Sequence, residues 1–90
     1  MKESELQKKI SDALGKAGWL VIKLERTNWN GIPDLMALRN GKIIFLEVKT
    51  ENGRVAELQK HRIETLNRLG FFAAVVKKVD DINVFIYKGL

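Results

Sequence analysis

Gly31-Ile-Pro-Asp-Leu-Met-Ala-Leu-Arg-Asn-Gly-Lys-Ile-Ile-Phe-Leu-Glu-Val-Lys-Thr50 is the stretch on which the fold turns. Two apolar runs, Leu35–Leu38 and Ile43–Val48, flank Asn40-Gly41, a strong signal for a two-residue β-hairpin turn. With Asn40 and Gly41 at the tip, Arg39 faces Lys42, Met36 faces Phe45 and Asp34 faces Glu47. Directly opposed side chains hold their Cβ atoms roughly 4.5–5.5 Å apart on one face, which suits two carboxylates sharing a hard divalent cation. Lys49 lies two residues past Glu47 and points to the same face, about 7 Å along the strand. A plainer reading exists, because charges at strand ends are commonly solvated and an aspartate after proline is an ordinary turn residue. Like charges directly opposed across a ladder destabilise it, however, and one lysine two positions on relieves that only in part. A cation between Asp34 and Glu47 removes the conflict. The pairing rests on register, since a three-residue loop would move Asp34 off its partner.

Working outward, Leu6, Ile10, Ala13, Leu14 and Ala17 recur at helical spacing and predict a helix from Glu3 or Ser4 to Ala17, stopped by Gly18. Trp19–Leu24 reads as a strand, and Glu25–Gly31 as a polar loop. Beyond the hairpin, Glu51-Asn-Gly-Arg54 is a second loop, followed by a helix from Val55 to Leu69 closed by Gly70. Phe71–Lys77 is a strand, and Asn83–Tyr87 a short last strand after an Asp80-Asp81 turn. The order α-β-β-β-α-β-β defines an α/β fold, a mixed sheet flanked by helices. Its strand–helix–strand unit from Ile43 to Lys77 is expected to be a right-handed parallel crossover. Ninety residues make one domain, because two cores would each be too small to fold well.

Composition narrows the chemistry. Lysine and arginine outnumber acidic residues 16 to 11, a net +5 that favours a polyanionic partner in so small a domain. With no cysteine there are no disulfides, thiolate metal sites or cysteine nucleophiles. With His61 alone, a two-histidine zinc site cannot form within one chain, leaving oxygen-ligated Mg²⁺ or Mn²⁺. No apolar run approaches the roughly 20 residues of a membrane span, and the N-terminus lacks a signal-peptide core. The expected location is the cytoplasm, or the host cytoplasm for a phage-encoded chain.

Both helices carry polar residues that their apolar patterns do not explain. In the second, Val55, Leu58, Leu66 and Leu69 define the predicted stripe, and Gln59 and Arg62 fall inside it. A glutamine there is commonly a satisfied core amide, yet Gln59 follows closely on the loop that leaves Lys49. Arg62 is expected to pack its stem and reach solvent or a partner subunit. In the first helix, at about 100° per residue, Glu3 falls on the inward side and Glu5 flanks the solvent side. Acidic residues at a helix start also suit the dipole, and Ser4-x-x-Gln7 reads equally as a capping box that would leave Glu3 outside. Trp29, in its Asn-rich loop, can stack on an unpaired base, or else anchor the loop or fill a subunit interface.

Pro33-Asp34 followed by Glu47-Val48-Lys49 matches the P-D…(D/E)-x-K nuclease signature. With Gly31-Ile-Pro-Asp, Phe45-Leu-Glu-Val-Lys, Gln59 and Leu66…Leu69-Gly70, nearly the whole chain resembles the VRR-NUC branch of that superfamily. The resemblance implies a restriction-endonuclease-like fold and a stand-alone nuclease of phage or bacterial type. It implies that Asp34, Glu47, the Val48 carbonyl and an acidic group of the first helix, here Glu3, hold the metal. Lys49 and Gln59 complete the implied catalytic set, and Lys23 matches a basic position that contacts phosphate. Lys23, Arg26, Arg54 and Lys60, with Lys8, Lys9 and Arg68, are candidates for backbone contacts.

The resemblance further implies Mg²⁺- or Mn²⁺-dependent hydrolysis of phosphodiester bonds in branched DNA, foremost four-way (Holliday) junctions, by a homodimer. The alternatives are a catalytically inert DNA-binding module and a flap- or RNA-cleaving nuclease with the same metal chemistry. The dimer is expected on two grounds. A two-fold assembly supplies two sites for two strands, and Trp19, Trp29, Phe71 and Phe72 look like more apolar surface than a short sheet must bury.

Overall fold

The computed structural model of the chain describes residues 1–87. Helix α1 (Glu3–Lys16) forms where the sequence places its apolar stripe, with Leu6, Ile10 and Leu14 buried on one side. Gly18, at φ +93°, ends it by turning the chain so that the Trp19 N–H donates back to Leu14 O at 3.0 Å. The chain then runs through β1 (Leu20–Lys23), β2 (Leu35–Arg39), β3 (Lys42–Val48), α2 (Glu57–Arg68) and β4 (Phe72–Val76).

The four strands form one sheet in chain order, antiparallel between β1, β2 and β3 and parallel between β3 and β4. Asn40 and Gly41 take positive φ values, 51° and 77°, as a two-residue hairpin turn requires. The resulting register pairs Arg39 with Lys42, Met36 with Phe45 and Leu35 with Leu46. Strand β2 begins one residue after Asp34, so Asp34 stands opposite Glu47 at the mouth of the ladder.

Alternation along the strands sorts the core into two layers. Leu35, Ala37, Ile44, Leu46, Val48 and Val76 face α1 and the C-terminal segment, and Phe45 and Ala73 pack with Leu66 of α2. Glu47 and Lys49 share the Phe45 side, beneath α2. Helix α2 leaves the outer part of this face open, where Leu20 and Ile22 of edge strand β1 are exposed.

Two expectations require correction. Asn83–Tyr87 is not a strand: a 3-10 turn at Val79–Ile82 leads into a short helix α3 (Asn83–Tyr87). The Asp81 carboxylate accepts from the Lys77 and Lys78 N–H groups at 2.8 and 3.2 Å and starts a helical turn where the Asp-Asp pair suggested a loop. Ile82, Phe85 and Ile86, at helical spacing, then enter the α1 layer.

The second correction concerns surplus aromatics. Trp19 is 3% exposed, edge-to-face with Phe85 at 6.2 Å and capped by the Arg39 guanidinium at 4.4 Å. Trp29 packs into the α2 layer. Phe71 and Phe72 are exposed as expected, and Leu20, Ile22 and Leu69 are exposed with them.

Candidate active site

Asp34 is set in place by its own backbone and by β3. Its carbonyl accepts from the Leu24 N–H at 2.8 Å, and its Oδ2 accepts from the Val48 N–H at 2.8 Å. The next N–H along β3, of Lys49, turns to the opposite neighbour and donates to Val76 O at 3.0 Å. Facing groups of one antiparallel residue point to the same neighbour, so the Val48 carbonyl is directed to the Asp34 side of the strand.

Glu47 is fully buried. Its Oε2 accepts from Gln59 Nε2 at 2.9 Å and lies 3.4 Å from Lys49 Nζ. Its Oε1 is buried with no partner among the described residues. Burial, and after it the nearby charge of Asp34, push the Glu47 carboxyl up from an ordinary 4.5 to about 7, against the opposing pull of Lys49. A buried carboxylate oxygen with nothing to bind is costly.

Lys49 bridges β3 and α1, with Nζ 3.4 Å from Glu47 Oε2 and 3.9 Å from Glu3 Oε1. Glu3 is the first residue of α1, with Lys2 and not Ser4 at the cap, so it stands within the helix and on the site's side. The stem of Lys49 is hemmed in by Gly53, where an added Cβ would come 3.3 Å from Lys49 Cβ.

Gln59 is oriented by the start of α2. Its Oε1 accepts from the Ala56 N–H at 3.0 Å, which fixes the amide so that Nε2 donates to Glu47. Helix α2 starts at Glu57, two residues later than the sequence suggests, and Gln59 therefore sits in its first turn. The expected stripe is also rotated: Leu58 and Leu69 are 44% and 66% exposed. The inward face is Gln59, Arg62, Ile63 and Leu66, a helical i, i+3, i+4, i+7 set.

Sequence reasoning missed what Arg62 does. Its Nε donates to Asn30 O at 2.7 Å and its guanidinium lies 4.5 Å over the Trp29 ring, fastening the 25–33 loop to α2. Gly31, at φ +81°, makes the approach possible, since a Cβ there would meet Leu58 Cγ at 2.7 Å. The available signal was Arg62 itself, three residues from Gln59 on the inward side.

Of the basic candidates, Arg26 lines a 570 Å³ cavity together with Asp34 and Gln59. Lys23 pairs with Glu25 at 3.5 Å and Lys60 with Glu57 at 3.1 Å, both at the surface. Arg54 is exposed in the loop before α2.

Asp34 and the buried Glu47, with Lys49 and Gln59 on Glu47, thus meet at the open end of a mixed sheet. The VRR-NUC domain model matches residues 1–80, and the chain belongs to that family. It is similar to “Putative nuclease p44” of Acyrthosiphon pisum secondary endosymbiont phage 1, 31% identical over 81 residues that cover 89% of this chain and 87% of the relative. A solved structure described as a VRR_NUC domain superposes with a TM-score of 0.83 at 30% identity, covering 98% of this chain and 97% of the other. A second, a VRR_NUC domain protein, gives 0.78 at 21% identity over 98% and 89%, which speaks to the fold. The coarse reading of the site is a nuclease.

Proposed function

We propose that the chain is a metal-dependent endonuclease that hydrolyses phosphodiester bonds in branched DNA, with four-way junctions as its main substrate and a homodimer as its working form. The observation that carries this is the unpartnered Oε1 of buried Glu47, beside Asp34 and within reach of Lys49.

The donors fit a hard, partly hydrated cation. Among the described residues there is no group of three or more His, Cys, Asp or Glu side chains that could form a protein-only cage. Two carboxylates and a backbone carbonyl, with water completing the shell, suit Mg²⁺ or Mn²⁺. Asp34, Glu47 and the Val48 carbonyl would hold it, with Glu3 the acidic group nearest on α1. When bound, the cation supplies Lewis acidity to the scissile phosphate and lowers the pKa of water.

The chain's own groups do the remainder. Lys49, an ammonium held between Glu47 and Glu3, orients the attacking water and offsets the charge gathering on the phosphate. Water adds to phosphorus as the P–O bond breaks, leaving a phosphate monoester on one strand end and a hydroxyl on the other. Gln59 keeps Glu47 in position, and the +5 charge of the chain draws the polyanion in. A two-fold dimer would present two such sites to the two scissile strands. Exposed Leu20 and Ile22 on edge strand β1, and Leu69, Phe71 and Phe72 at the opposite β4 edge, are two candidate apolar surfaces for it.

Labelled four-way junction, flap, duplex and single-stranded DNA, incubated with and without Mg²⁺, test the proposal. Cleavage that needs the metal, peaks on the junction and vanishes in Asp34→Asn is the expected result. Binding without cleavage under every condition would replace it with an inert DNA-binding module.

A further inference from the structure

Residues 25–33 leave the sheet after Leu24 and return at Asp34, and the Leu24 N–H to Asp34 O hydrogen bond at 2.8 Å closes the excursion at its base. A compact loop with joined ends is an Ω-loop, a form often put to functional use. This one is firmly built. Thr27 Oγ1 accepts from the Trp29 N–H at 3.2 Å and donates to Trp29 O at 3.0 Å, and Arg62 holds the tip through Asn30 O.

The loop forms one side of an open recess. Between the loop and the site lies this 570 Å³ cavity, whose lining includes Leu24, Arg26, Trp29, Asn30, Asp34 and Gln59. The recess is open to solvent, and most of its lining is polar. Leu24 and Trp29, the latter with Arg62 over its ring at 4.5 Å, supply its apolar part. Arg26 is exposed and joins no ion pair among the described residues, whereas its neighbour Lys23 is committed to Glu25. An apolar part for a base, an uncommitted guanidinium for a phosphate and a direct opening onto Asp34 are the parts of a nucleotide site.

We propose that this cavity receives one unpaired nucleotide of the strand being cut, next to the scissile phosphate, with Arg26 on its phosphate. The inference rests on the nuclease reading and sharpens it. A paired base reaches such a cavity only by leaving its stack, which costs free energy that an already unpaired base does not incur. Between substrates of one branch structure, the enzyme then prefers the one with an unpaired residue at the cleaved step.

Two measurements test this separately. In the first, single-stranded DNA carrying one 2-aminopurine is titrated with protein without metal. Its fluorescence should change on binding to wild type, and the apparent Kd should rise about tenfold or more in Arg26→Ala. In the second, two duplexes that differ by one unpaired nucleotide are cut with Mg²⁺. Wild type should favour the interrupted duplex by about tenfold or more, and the ratio should fall toward one in Arg26→Ala. Metal-dependent cleavage with no preference and no 2-aminopurine response overturns the nucleotide site and leaves the nuclease standing. The fluorescence response without any cleavage overturns the nuclease and leaves a nucleotide-binding cavity. Equal losses for Arg26→Ala and Arg68→Ala would make Arg26 a general backbone contact and also overturn the proposal.

Discussion

Removing the ionisable group from Glu47 should change how the protein's stability depends on pH. In the folded chain the Glu47 carboxyl is pushed to about 7, whereas an unfolded glutamate ionises near 4.5. The folded state therefore holds the proton more tightly, and stability falls as pH rises between those values. The contribution is fully present below 4.5 and lost above about 7. At about 1.4 kcal/mol per unit, ionising Glu47 costs the metal-free protein about 3 kcal/mol. In a domain of this size that is on the order of 10 °C in Tm or more. Glu47→Gln keeps the shape and cannot ionise, so the difference between the two proteins cancels the titration of the other carboxylates. Urea denaturation from pH 5 to 8.5, without divalent metal, should show wild type losing stability relative to Glu47→Gln through pH 7. Adding Mg²⁺ or Mn²⁺ should restore wild type alone, and by more at pH 8 than at pH 5, because a cation competes with the proton for the same oxygens. Parallel profiles for the two proteins would refute both the burial argument and the metal assignment.

Lys49→Ala should abolish cleavage while leaving the metal-induced rise in Tm in place, since its part is played on the water and the transition state; single-turnover kinetics beside thermal melts check this. Gln59→Ala leaves Glu47 Oε2 without its amide donor and the Ala56 N–H without its acceptor, and should cost about 1–3 kcal/mol as read by urea denaturation, with kcat falling more than KM rises. Light scattering at micromolar concentration should give twice the 10.3 kDa protomer mass, from an interface of at least about 1,000 Å². A monomer that still cuts junctions would remove the paired-cut model.

What the sequence yields depends on how local the deciding physics is. Asn40-Gly41 admits few alternatives, because both residues must take positive φ, and from that turn alone the pairing of Met36 with Phe45 and the meeting of Asp34 with Glu47 follow. Helix α1 was equally legible, as its stripe is made of residues whose only task is burial. Helix α2 was not, because its leucines are partly exposed and its inward face carries Gln59 and Arg62. Counting apolar residues rotated the stripe for that reason: it included Leu66 and enclosed Gln59 and Arg62, but took in exposed Leu58 and Leu69 and overlooked Ile63. Asn83–Tyr87 failed differently. Five apolar-rich residues fit either period, and only the Asp81 cap and the place of Phe85 against Trp19 and Phe72 decide for helix. The closed loop at 25–33 rests on a backbone bond between residues ten apart, and no sequence pattern announces that.

The polar inward face of α2 carries a trade-off. A helix with no duty but packing would seat leucines where Gln59 and Arg62 stand, whereas this one has a single fully buried residue, Leu66. It is thereby among the more weakly secured elements of the domain, although it covers Glu47, the buried charged residue. Whatever strengthens the helix by ordinary hydrophobic repacking will loosen its hold on Glu47 and on the loop, so that stabilised variants of this protein will tend to be poorer enzymes. Conversely, metal and nucleic acid, by settling Glu47 and filling the cavity beside it, should make α2 the region whose amide exchange slows most on binding.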